Sequence, residues 1–166
     1  MRLRILFAAL LTTGVVLAPT SADAKGAKDV TVAGPGLDTP IRLTNAAGPG
    51  ILANNIADKS GLFRPDPDRR TASRPRGDLG PRYVATYAWL TGQDETTPLR
   101  QELYPFANGG ALSYTRRQQG VTEFVPDGGW YRAGPELTLL LVAAGVPVPS
   151  SYTPPVPVVA PPPLAG

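Results

Sequence analysis

Proline placement divides this chain into segments that can and cannot join a folded core. Eight of the last 20 residues are proline, and four more prolines fall between residues 64 and 82. Proline lacks a backbone N–H, and segments rich in it favour an extended polyproline conformation that packs no core. We therefore predict one folded domain at residues 25–147, with a long Arg- and Pro-rich loop at 64–82, and a disordered Pro-rich tail at 148–166.

The first 24 residues have the pattern of a cleavable signal peptide. Arg2 and Arg4 precede an apolar stretch at 5–18, and Ala22-Asp23-Ala24 supplies the small residues of a cleavage site. The apolar stretch is shorter than the roughly 20 residues that span a bilayer. We therefore predict a secreted, extracytoplasmic protein that could associate with the cell wall and keeps no stable membrane anchor after cleavage.

The net charge bears on the kind of partner. Removal of residues 1–24 takes away two arginines and one aspartate, which lowers the formal net charge from +3 to +2. A nearly neutral chain lacks the excess positive charge with which proteins bind a phosphate backbone. The sequence therefore predicts no nucleic-acid partner.

The chain contains neither cysteine nor histidine. This composition excludes a Ser-His-Asp triad, a cysteine nucleophile, a thiolate or imidazole metal site and any disulfide. We predict no cofactor and no metal. An exported domain without disulfides must also be stabilised by its core alone.

Periodicity along the chain predicts an α+β fold. Alternation of apolar and polar residues indicates antiparallel hairpins, and the last apolar segment, with Leu137, Leu140 and Leu141 on one side, indicates a helix that begins at Pro135 and ends before Gly145. We predict a small antiparallel β-hairpin sheet with one short helix between the hairpins and one C-terminal helix. The predicted strands lie at 29–33, 41–44, 83–90, 99–106, 111–115 and 121–125, and the short helix lies at 49–59, closed by Gly61.

Aromatic residues form the first candidate binding surface. Tyr83, Tyr87 and Trp89 share one face of a predicted strand, and Trp130 and Tyr131 precede the last helix. Such side chains pack the core of a small β-rich domain, or stack on sugar rings where they are exposed. The candidate ligand-binding aromatics are Tyr87, Trp89 and Trp130.

The loop at 64–82 is the second candidate, because it carries six arginines against three aspartates. Two readings stay open: a solvated linker, or a patch that faces an anionic wall polymer. The candidate ligand-binding arginines are Arg69, Arg70, Arg74 and Arg76. A third possibility is that the loop is presented to a secreted protease as an inhibitor.

Carboxylates could support catalysis only if several of them met in a cleft. Glu102, Glu123 and Asp127 are the acidic candidates, and no spacing ties them together. No Gly-x-Ser-x-Gly or Ser-x-x-Lys motif is present. A small carboxylate-based wall hydrolase is therefore an alternative, and we assign no catalytic residue.

Four segments in order resemble a known group of proteins. They are Gly34-Pro35-Gly36-Leu37 with Ile41-Arg42-Leu43, Gly77-Asp78-Leu79-Gly80-Pro81-Arg82-Tyr83, Arg100-Gln101-Glu102-Leu103-Tyr104-Pro105-Phe106-Ala107, and Gly129-Trp130-Tyr131-Arg132. The chain is similar there to small uncharacterised exported proteins of actinobacteria, which implies an extracytoplasmic location and no particular activity. We predict a non-catalytic, envelope-associated binding or sensing domain, with cell-wall glycan or an anionic wall polymer as its partner.

Overall fold

The computed structural model describes residues 26–45, 53–62, 66–71, 73–91, 95–117 and 128–154. The predicted signal peptide at 1–24 and the predicted strand at 121–125 lie outside these residues. The strands are β1 (Ala27–Ala33), β2 (Ile41–Thr44), β3 (Arg70–Thr71), β4 (Tyr83–Leu90), β5 (Thr96–Tyr104), β6 (Leu112–Thr115) and β7 (Gly129–Arg132). The helices are α1 (Ala53–Lys59) and α2 (Pro135–Ala143), and Pro67–Arg69 forms a 3₁₀ turn.

The strands form one antiparallel sheet in the order β2-β1-β4-β5-β6-β7-β3. The predicted α+β class is confirmed, and the sheet is larger than the small hairpin sheet we predicted. The two additional strands, β3 and β7, pair with each other at one edge. Both are too short to show a clear alternation in the sequence.

The sheet has one covered face and one open face. Along β4, Tyr83, Ala85, Tyr87 and Trp89 are at most 1% exposed, whereas the residues between them are only half-buried. The covered side, here called the helix face, packs against α1 and α2, which also contact each other. The other side, here called the open face, carries the alternate side chains of every strand. In the described part of the chain, neither helix is long and apolar enough to cross a bilayer.

Helix α1 ends at Gly61, as predicted. Gly61 has φ +72°, and the next N–H, that of Leu62, donates to the carbonyl of Ala57 at 2.9 Å. A Cβ on Gly61 would also clash with the ring of Tyr131, which packs over this turn from β7. Glycine is therefore required here for its backbone angle and for the space that the ring occupies.

Helix α2 also ends as predicted. Gly145 has φ +106°, and the N–H of Val146 donates to the carbonyl of Leu141 at 2.9 Å while its side chain is 2% exposed. The helix buries two leucines completely, Leu137 and Leu141. Leu140, which we expected in the core with them, is only partly buried at its edge.

A polar network lies inside the core, beneath the end of α1. Gln101 is 1% exposed; its Oε1 accepts from the Tyr87 hydroxyl at 3.1 Å, and its Nε2 donates to Ser60 O and Thr115 Oγ1, each at 3.0 Å. The hydroxyl of Ser113 donates to the same Ser60 carbonyl at 2.6 Å. Among the described residues, every buried side-chain polar atom has a partner. The network therefore fixes the register of β4, β5 and β6 against the α1 turn.

The segment 73–82, here called the strap, joins edge strand β3 to β4, which is central in the sheet. Leu79 is 6% exposed and packs with Tyr104 and Leu112, and the carbonyl of Asp78 accepts from the N–H of Asn108 at 3.0 Å. The interpretation of 64–82 as a wholly solvated linker is therefore wrong. The loop is attached to the sheet at two places, by the pairing of β3 with β7 and by the burial of Leu79.

The folded region extends past the predicted boundary at residue 147. The ring of Tyr152 packs against that of Phe106 edge to face, with centroids 4.9 Å apart, and is partly buried against the core. An aromatic side chain among prolines supplies the apolar contact that the prolines alone lack. The predicted disordered tail therefore begins too early, and residues from 155 onward lie outside the described residues.

Candidate ligand-binding site

Two of the predicted binding aromatics are core residues. Tyr87 is 0% and Trp89 1% exposed, because both project from the helix face of β4. Neither ring can stack on a ligand. For these two residues the prediction of a binding surface is wrong, and core packing is the correct interpretation.

The third predicted aromatic, Trp130, lies on the open face with two other rings. The centroid of its ring is 4.9 Å from that of Tyr114 and 5.5 Å from that of Tyr104, at interplanar angles of 38° and 35°. The three residues come from the neighbouring strands β7, β6 and β5, and Trp130 pairs directly with Tyr114. We call them the aromatic row. Trp130 and Tyr114 remain partly exposed, whereas Tyr104 is 8% exposed.

An apolar base supports the aromatic row. Leu79 of the strap, Ala107 of the β5–β6 turn and Leu112 of β6 are each at most 6% exposed and form a second cluster with Tyr104, separate from the main core. Trp130 and Tyr114 pack against this cluster from the solvent side. The row is therefore a supported surface, and its rings are held by apolar contacts on one side.

A carboxylate holds the innermost ring. The Tyr104 hydroxyl donates to Oε2 of Glu102 at 2.7 Å, and Oε1 of Glu102 lies 3.5 Å from Nη1 of Arg82. Burial, this hydrogen bond and the charge of Glu102 raise the pKa of Tyr104 to about 12, while Arg82 and Arg74 oppose the increase. The Tyr104 hydroxyl is therefore neutral at physiological pH and is held by Glu102.

The predicted arginines separate into three groups. Arg74 is exposed on the strap, and its charge opposes the increase in the pKa of Tyr104. Arg69 and Arg70 lie at the sheet edge, where Arg69 is 3.7 Å from Asp66 and Arg70 donates to a backbone carbonyl at 3.2 Å. Arg76 is exposed, and no described residue bonds to it. Arg74 is thus the predicted arginine whose charge acts on the aromatic row, whereas Arg70 lies on β3, the strand that pairs with β7.

Sequence reasoning missed four residues of this site: Tyr104, Tyr114, Arg82 and, in its positioning role, Glu102. A signal for two of them was present. Alternation in the segment 99–106 separates Glu102 and Tyr104 from the apolar Leu99 and Leu103, and so places them on the opposite side of the strand. The sequence could not indicate that β6 and β7 bring two further rings beside them.

A groove of about 480 Å³ lies next to the site, between the strap, the β5–β6 turn and the described part of the tail. Phe106 and Tyr152 form its apolar walls, and Asp78 is the charged side chain in its lining. Oδ1 of Asp78 accepts from the N–H of Gly80 at 2.8 Å, so that carboxylate stabilises the strap.

The hydrolase alternative requires acidic residues that converge. Glu102 is engaged by Tyr104 and Arg82, and Glu123 and Asp127 lie outside the described residues. Within the described ranges, no three acidic side chains are grouped closely enough to hold a metal ion. The hydrolase hypothesis thus stays an untested alternative.

Comparison with protein-family models, with curated proteins and with solved structures finds no match to this chain. The functional argument therefore depends on the geometry of the open face.

Proposed function

We propose that the protein is a non-catalytic, extracytoplasmic binding domain that attaches to a cell-envelope polysaccharide through the aromatic row. The observation that carries the proposal is that Trp130 packs against both Tyr104 and Tyr114 on the open face, where Trp130 and Tyr114 stay partly exposed. Flat aromatic surfaces that combine an apolar ring with a polar edge suit the faces and hydroxyl groups of sugars.

Pre-organisation of the row supports the proposal. The ring of Tyr104 is held by its hydrogen bond to Glu102, and Trp130 packs on Tyr104. A surface that is already ordered loses little side-chain entropy when a ligand binds. An apolar surface rimmed by polar and charged residues is typical of an interaction site.

The sequence at the N-terminus supports the envelope location. Cleavage after Ala24 would remove no part of β1. It would also keep Gly26, whose carbonyl accepts from the N–H of Leu90 at 3.0 Å. Export would place the open face among wall polymers. The protease-inhibitor alternative depends on the exposed part of the strap. No contact among the described residues supports it as the ring contacts support the aromatic row.

The test is co-sedimentation of the purified protein with insoluble cell-wall polysaccharide. We expect Trp130→Ala and Tyr114→Ala each to weaken binding by at least about tenfold, as central aromatic residues of interfaces do. Leu139→Ala is the matched control, because Leu139 is 68% exposed on α2, on the other side of the molecule. Equal sedimentation of the wild type and the two aromatic variants would contradict the proposal.

A further inference from the structure

Three arginines flank the aromatic row. Arg132 follows Trp130 by two residues on β7 and so shares the open face, Arg82 contacts Glu102, and Arg74 acts on Tyr104 from the strap. In the described part of the chain, neither Arg74 nor Arg132 lies within 4.0 Å of a carboxylate. Of these three arginines, Arg82 is the one paired with a carboxylate in the described part of the chain, that of Glu102.

The strap fixes two of these charges. Leu79 is buried in the apolar base, and the carbonyl of Asp78 bonds to the N–H of Asn108. Arg74 and Arg82 lie on either side of this attachment point along the chain. The strap is therefore attached beside the aromatic row, and Arg74 and Arg82 belong to this attached segment.

Rings and guanidinium groups recognise different parts of a ligand. An aromatic ring packs against the face of a sugar, whereas guanidinium binds a carboxylate in a two-pronged geometry. A neutral glycan would leave the arginines unused, and a polyol phosphate would offer no sugar face to the rings. A ligand that uses both features carries acid groups on sugar rings.

Resting on the proposed function, we infer that the aromatic row and its arginines select an acidic polysaccharide whose sugar rings bear carboxylates. Single-stranded nucleic acid also combines rings with negative charge. After the predicted cleavage the formal net charge is only +2, whereas nucleic-acid binding depends on many contacts to phosphates, so we favour the polysaccharide.

The experiment compares four soluble probes with the purified protein: polygalacturonate, dextran, polyphosphate and single-stranded DNA. We expect polygalacturonate to bind at least about tenfold more tightly than each of the others, since it alone offers charged sugar rings. Its affinity should fall as sodium chloride screens the exposed arginines.

The variant Arg74→Gln with Arg132→Gln should lose about tenfold in affinity for polygalacturonate and little for dextran. Its matched control is Lys59→Gln with Arg69→Gln, which removes the same charge near Glu136, at the start of α2. A thermal melt of each variant verifies folding.

The outcomes separate this inference from the proposed function. Equal binding of dextran and polygalacturonate would overturn the inference and leave polysaccharide binding in place. If polyphosphate bound as tightly as polygalacturonate, charge alone would explain the binding and the inference would be overturned. If DNA bound more tightly than polygalacturonate, the ligand would be a nucleic acid. Failure of both polysaccharides to bind would overturn the proposed function as well.

Discussion

Trp130 and Tyr114 pair directly across β6 and β7, and their ring centroids lie 4.9 Å apart on the open face. The two rings do not join the core that stabilises the domain, which lies beneath the helices on the other face. They pack instead on a smaller cluster that the strap completes through Leu79. The site therefore depends on two long-range events, the pairing of β7 with β6 and the passage of the strap to β4.

The first prediction concerns the leucines of α2. Leu137→Ala and Leu141→Ala should each lower the free energy of unfolding by about 2–5 kcal/mol, because each removes a fully buried side chain. Leu140→Ala should cost less, since Leu140 is only partly buried. Denaturant unfolding measures these changes, with the exposed Leu139→Ala as control. A cost for Leu139 equal to that for Leu137 would show that the face is misassigned.

The second prediction concerns the polar network in the core. Gln101→Leu removes the acceptor of the Tyr87 hydroxyl and a donor to Ser60 and Thr115. The Ser60 carbonyl keeps its bond from Ser113, and the Tyr87 hydroxyl keeps Ser60 Oγ at 3.3 Å, so Thr115 Oγ1 is the group that loses its partner. A buried polar group without a partner costs about 1–3 kcal/mol, and we expect a loss of that size in unfolding free energy. A variant as stable as the wild type in denaturant would mean that water or rearrangement satisfies this group.

Alternation and helix ends were predictable from the sequence, because they depend on local chemistry. The buried face of β4 and the glycine endings at Gly61 and Gly145 follow from residues within a few positions of each other. The pairing between Thr71 and Trp130 could not be predicted in this way, since it joins distant segments of the chain. In addition, β3 has only two residues, too few to show a pattern. The burial of Leu79 could not be predicted for the same reason, because its partners come from β5 and β6.

The candidate site was only partly predictable for the same reason. Composition singled out Trp130 and Arg74, and both belong to the site. Tyr87 and Trp89 have the same chemistry as Trp130 but project from the helix face. The sequence alone offered no means to decide which face of the strand the helices would cover.

The third prediction concerns pH. The pKa of Tyr104 is raised from the usual value of 10 to about 12, first by burial and then by the hydrogen bond and charge of Glu102. A raised pKa means that the folded state retains the proton longer than the unfolded state. The corresponding stability is complete below pH 10 and is lost as pH rises through about 12.

Unfolding free energy measured between these limits should therefore fall less steeply in Tyr104→Phe than in the wild type. One tyrosine contributes a slope of at most about 1.4 kcal/mol per pH unit. Burial also raises the pKa of Tyr87, which the variant retains, so some slope should remain. Identical slopes in the two proteins would contradict the position assigned to the Tyr104 hydroxyl.

The fourth prediction concerns the C-terminal segment. A chain that ends at Pro154 should melt as the full chain does, whereas one that ends at Val148 should melt lower because it lacks Tyr152, which covers Phe106. The substitution Tyr152→Ala in the full chain should reproduce most of this loss. If both truncated chains melt with the full chain, the contact between the two rings contributes nothing to stability.

Acrylamide quenching of tryptophan fluorescence tests the central claim most directly, since the chain has only two tryptophans. Trp89 is 1% exposed and Trp130 lies partly exposed in the aromatic row, so the accessible fraction should belong to Trp130 and disappear in Trp130→Phe. We predict that polygalacturonate, added until binding is saturated, protects Trp130 from acrylamide. If the polymer sediments with the protein but Trp130 stays equally accessible, the ligand binds elsewhere and the aromatic row is not the binding site.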